Sequence, residues 1–124
     1  MLTKTPYDCR LSRAEYFEVS RLKTRGIFFL VLHLLCDHLN YLDVVILEKE
    51  IFSHRLDCKM RPPDLARLIY RETFREAGLL ASPSLLIKLS RFVVYKFISK
   101  CTKEDKFSCD AKDVVSWIEE HDFS

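Results

Sequence analysis

The sequence predicts an all-α protein, a compact bundle of about six helices. Three observations carry this expectation. Only two glycines (Gly26, Gly78) and four prolines (Pro6, Pro62, Pro63, Pro83) interrupt 124 residues, which leaves few places for the chain to turn. Helix-start signals stand at Ser12 and at Ser82-Pro83. Apolar residues line one side of helix-length segments, as Leu65, Leu68, Ile69 and Phe74 do. Residues 1–124 are read as a single helical domain, with 1–11 a candidate flexible arm. A chain of this length buries a core without needing a metal or a disulfide. Its 48% hydrophobic and 31% charged residues exclude a disordered class.

The first helix is expected over about residues 13–24, because Ser12 and Glu15 have the S-x-x-E spacing of a capping box. Gly26 then bends or breaks the chain. A second, apolar helix is expected over 27–39, a turn at Asn40-Tyr41, and a third helix over 42–52, whose Val44-Val45-Ile46 run also carries strand propensity. Residues 53–63 read as the longest loop, since Pro62-Pro63 excludes helix there. A fourth helix starts with Asp64 as N-cap and ends at Gly78, placed as a left-handed C-cap. The fifth runs from Ser82-Pro83 to about Cys101, where TKEDK breaks it. The last follows Asp110, with Val114, Val115, Trp117 and Ile118 to pack and Glu119-Glu120 exposed.

The most apolar stretch is TRGIFFLVLHLLCDHLN, residues 24–40. From Ile27 to Cys36 ten residues are apolar except His33, and Asp37 and His38 then interrupt. A spanning helix needs about 20 apolar residues, so the run is roughly half long enough. Its length suits a signal-peptide core, but Asp8, Glu15 and Glu18 precede it and no small-residue cleavage site follows. It is therefore expected as a core helix packed centrally among the others, with His33 and Asp37, one turn apart, sharing a polar strip.

Five cysteines (Cys9, Cys36, Cys58, Cys101, Cys109), odd in number and without a C-x-x-C pair, fit a reduced intracellular protein of cytoplasm or nucleus. HLLCDH brings together His33, Cys36, Asp37 and His38, but no second ligand pair completes a structural zinc set. Cys36 beside His33 and Cys58 beside His54 lack an orienting group for nucleophilic catalysis. No G-x-S-x-G, P-loop or G-x-G-x-x-G occurs. The expectation is no enzyme, no catalytic residue, no metal and no cofactor.

Charge is segregated along the chain. Residues 1–30 carry +3, 31–51 carry −3, 52–103 carry +7 and 104–124 carry −5, for a net +2. Patches of this kind suit charge-complementary contacts. Arg67, Arg71 and Arg75 recur every four residues and project together, with Arg61 just ahead; the acids Glu119 and Glu120 and a lone Trp117 lie near the C-terminal end. These seven residues form the candidate interaction surface.

From Ile27 to about Cys101 the order of features resembles a death effector domain. FFLVLHLL (28–35) is similar to that family's opening helix, Asp43, Val44 and Leu47 to its D/E-L-x-x-L pattern, LIYRETFREAGLL (68–80) to the helix ending in a leucine turn, and SLLIKLSRFV to the helix after it. Glu48-Lys49-Glu50 stands where the family usually has Lys-Phe-Leu, and its R-x-D-L motif is absent. Residues 30–50 also resemble a LisH dimerisation motif, and 107–118 the final helix of a histone fold. The death-effector resemblance implies an adaptor or signalling regulator. The residues themselves point to a non-enzymatic interaction module binding another protein, or a second copy of itself, through charged helix faces without membrane insertion. The competing readings are a nucleic-acid-associated helical protein using the arginine stripe, and an accessory subunit of an obligate complex.

Overall fold

The computed structural model describes residues 10–53, 62–104 and 109–121. Residues 1–9 of the candidate arm, Arg61 and the loop cysteine Cys58 lie outside them. The described residues form five helices and no strand: α1 (Arg13–Thr24), α2 (Phe28–Ser53), α3 (Pro62–Ala77), α4 (Pro83–Glu104) and α5 (Ala111–His121). The all-α class stands. The count is five because the expected second and third helices are one helix of 26 residues.

Local chemistry explains most of the helix starts. Ser12 and Glu15 form the reciprocal capping box: the Ser12 peptide N–H donates to Glu15 Oε1 (2.7 Å) and the Glu15 N–H to Ser12 Oγ (3.2 Å). At the other end of α1 the chain turns through Gly26 at φ +73°, a conformation that costs glycine nothing. Gly26 N–H bonds Lys23 O and Ile27 N–H bonds Leu22 O, the paired closure of a Schellman ending, with Ile27 folded onto the core. Asp110 caps α5 through Oδ1, which accepts the Lys112 N–H at 2.8 Å.

Three expectations are corrected. Asn40-Tyr41 is no turn. No Gly or Pro lies between Phe28 and Ser53, and the Asn40 side chain does not compete for its own backbone, because it bonds the Cys109 peptide instead. Residues 28–35 and 43–47 therefore share one helix. The prolines do not delay α3 to Asp64: Pro62 and Pro63 occupy its first turn, where a missing N–H costs no intrahelical bond, and Asp64 sits within that turn. Gly78 is not left-handed. Glycine is required there by a close approach, since a Cβ would stand 2.4 Å from the Phe74 carbonyl oxygen.

The core gathers the inward faces of all five helices. α4 is buried over the widest arc, with Leu85, Leu86, Leu89, Ser90, Val93 and Val94 fully enclosed. Over residues 28–42, α2 buries Val31, Leu32, Leu35, Cys36 and Leu39 on one side. Its other side turns Phe29, Leu30, His33, Asp37 and Tyr41 to solvent, so the apolar stretch packs among all four other helices but is buried along one face and not all round. No helix among the described residues is long and apolar enough to cross a membrane.

α1 is the least apolar attachment, burying Val19, Leu22 and Glu15 and exposing Tyr16 and Phe17. Two carboxylates latch it to α4. Lys88 Nζ donates to Glu15 Oε1 at 2.6 Å and to Arg10 O at 2.7 Å. Glu18 accepts from Ser82 with both oxygens, from the peptide N–H at 2.7 Å and the hydroxyl at 2.6 Å, so α1 also caps the start of α4. Burial works to raise the Glu15 pKa, but the Lys88 ammonium and the Ser12 donors outweigh it and hold the carboxyl at about 2.

Candidate functional site

Arg67, Arg71 and Arg75 all lie exposed on the outer face of α3. The opposite face of that helix buries Leu65, Ala66, Ile69, Thr73 and Ala77, so burial fixes the direction in which the arginines point. Arg67 lies 3.9 Å from Asp64, a contact too long and exposed to neutralise it. Arg71 and Arg75 form no ion pair with any described residue. Glu72, next to Arg71, is exposed, and Glu76, next to Arg75, turns to His38 of α2 at 3.4 Å. Beside the stripe Phe74 is exposed and tilts against Tyr70 (ring centroids 5.4 Å), while Leu79, just past the helix, is 97% exposed. The surface is thus a guanidinium row with an apolar border.

Helix α5 presents the opposite sign. Glu119 and Glu120 are exposed on its outer face, together with Asp110 and Asp113 and the single cation Lys112. Ala111, Val114, Trp117 and Ile118 occupy the inner face. Among the described residues no ion pair joins Glu119 or Glu120 to the α3 arginines. The remaining expected member, Trp117, is 8% exposed and belongs to the core, edge-on to Phe92 at 5.8 Å and tilted against Tyr95 at 5.2 Å. A lone tryptophan on an amphipathic helix gives no sequence signal for which way it faces; here it completes the α4–α5 packing.

The HLLCDH residues are dispersed. His33 and Asp37 pair on the outer face of α2 (3.2 Å), as their spacing suggests, with Phe29 stacked beside His33. Cys36 points into the core, and His38 toward α3. No group of three or more His, Cys, Asp or Glu among the described residues is placed to hold a metal ion.

A polar link that sequence reasoning missed joins α2 to α5. The Asn40 amide donates to Cys109 O and accepts from Cys109 N–H, both at 2.8 Å, replacing the peptide partners that Cys109 lacks ahead of α5. The two residues are 69 positions apart, beyond any local pattern. Asn40→Ala should cost about 2–3 kcal/mol, because it strands both polar atoms of a largely buried peptide. Urea unfolding of the two proteins measures this; a loss within 0.5 kcal/mol, roughly that of a neutral surface change, would show that water replaces the amide.

No known protein family, curated protein or solved structure matches the chain.

Proposed function

We propose that the chain is a non-enzymatic interaction module, an adaptor or regulatory subunit working inside the cell, whose α3 arginine row binds an acidic helical surface. A second copy of the chain offers such a surface in α5. The observation that carries this reading is the presence of two solvent-facing helix faces of opposite sign that form no ion pair with each other among the described residues. Bidentate guanidinium–carboxylate contacts suit this geometry, and the border of Phe74 and Leu79 supplies apolar area that a purely ionic contact lacks. The resemblance to death effector domains runs in the same direction, toward an adaptor.

An α3-to-α5 contact uses different patches on the two copies, so it is heterologous and builds rings or open chains instead of stopping at a two-fold dimer. Sedimentation velocity should therefore show concentration-dependent species beyond dimer at about 0.05 M salt. Those species should dissociate at about 0.5 M, where the screening length falls to a few ångströms. The triple reversal Arg67→Glu, Arg71→Glu, Arg75→Glu should abolish the association. Adding Glu119→Lys and Glu120→Lys should restore it. A strict monomer at every salt concentration would refute self-association. Retention of RNA or DNA by the parent chain and its loss in the triple variant would instead establish the nucleic-acid reading.

A further inference from the structure

We propose that Cys36 and Cys109 form a redox site: on oxidation they close a disulfide that clasps the start of α5 to α2. Their sulfurs stand 2.8 Å apart, with Cys36 1% and Cys109 8% exposed. Both are free thiols in the structure. Closure to the roughly 2.05 Å of a disulfide moves the sulfurs by less than about 1 Å.

The proximity is built, not incidental. Cys36 and Asn40 lie one turn apart on α2, and both meet the same residue. Asn40 grips the Cys109 peptide from both sides at 2.8 Å, and that grip sets the Cys109 side chain against Cys36. Asn40 is thus a positioning residue for the pair. On the far side Asp110 caps α5, so the clasp ties a fixed helix start to a fixed helix middle.

The chemistry closes with a small-molecule disulfide such as oxidised glutathione as the oxidant. One protein thiolate attacks a glutathione sulfur, forming a mixed disulfide and expelling one glutathione thiolate. The second protein thiolate attacks the protein sulfur of that intermediate, forming the Cys36–Cys109 bond and expelling the second glutathione. Each cysteine loses its proton to solvent or to a departing thiolate, and the two electrons leave with the two reduced glutathiones. In the closed fold, the hydrogen bond to Cys109 and burial both push the Cys36 thiol up, which suppresses the attacking thiolate. Exchange therefore proceeds through brief release of the segment at Cys109, and the product is protected once that segment returns. In a reducing compartment the pair rests as two thiols and responds when the glutathione pool becomes oxidised.

The test uses the full chain. Native protein is equilibrated in mixtures of reduced and oxidised glutathione, quenched in acid, alkylated and digested with trypsin without reduction. The expected result is a linked peptide pair, residues 26–49 with 107–112, while Cys9, Cys58 and Cys101 are recovered alkylated. The variant with those three cysteines replaced by serine should give the same linked pair. Asn40→Ala should lower the disulfide-to-dithiol ratio about tenfold, the equivalent of one well-formed hydrogen bond. Recovery of Cys36 and Cys109 as thiols or as stable glutathione adducts overturns the proposal. So does a preference of either for another cysteine, or an unchanged ratio in Asn40→Ala.

Discussion

Replacing Leu89 by alanine should lower the unfolding free energy by about 3 kcal/mol, within the usual range for removing a buried leucine side chain. For a chain of this size the melting temperature should fall by roughly 10–15 °C. Leu89 is 0% exposed and lies on α4 among Leu85, Leu86 and Val93, all fully buried. α4 contacts α2, α3 and α5, so the helices around the vacated volume are held by one another and collapse only partly into it. Urea denaturation of parent and variant checks the value, and an unchanged slope would show that the loss is in the native packing. Leu79→Ala is the matched control. The residue is the same, but it is 97% exposed and should change stability by no more than about 0.5 kcal/mol. Equal effects at the two positions would contradict the assignment of α4 to the centre of the core.

That α4, not the apolar stretch in α2, is buried most widely shows what hydropathy along a sequence measures. The run from Ile27 to Cys36 is more apolar than any part of α4, yet α2 leaves Phe29 and Leu30 half exposed. A run of apolar residues tells how much surface a helix would gain by burial, and not how much of its circumference its neighbours cover. The features legible in the sequence were those within one helical turn. The Ser12–Glu15 box, the Ser82 cap, the Gly26 turn, the His33–Asp37 pair and the arginine row all follow from short-range spacing. The features that escaped are pairings between distant positions. Asn40 read as a turn former because nothing local shows its partner at Cys109. Glu18 and Ser82 are 64 residues apart, and Glu15 and Lys88 are 73 apart. Pro62-Pro63 misled for a different reason: proline breaks helix interiors but is tolerated in the first turn, and sequence alone did not place that turn.

The Glu15–Lys88 latch should make the docking of α1 acid-sensitive, with the rest of the bundle less affected. The carboxyl titrates at about 2 in the folded chain against an ordinary 4.5, so folding favours its ionised form. The stabilisation is then fully present above pH 4.5 and is lost as pH falls toward 2, about 3 kcal/mol at most. An upper limit comes from α1 itself. It buries only Val19 and Leu22 besides Glu15, and a lone helix of 12 residues is marginal in water. Once the latch weakens, release of α1 is an easier outcome than global unfolding. Hydrogen exchange between pH 5 and 2.5, corrected for the intrinsic rate, should therefore show residues 13–24 losing protection before α3 and α4 do. Lys88→Met separates this cause from general acid expansion. It removes the cation while Glu15 stays 5% exposed, so burial then opposes the charged form that Lys88 had favoured. In that variant α1 should already be weakly protected at pH 7 and should lose little more on acidification. If Lys88→Met kept the parent acid profile of α1, the latch would not be its source.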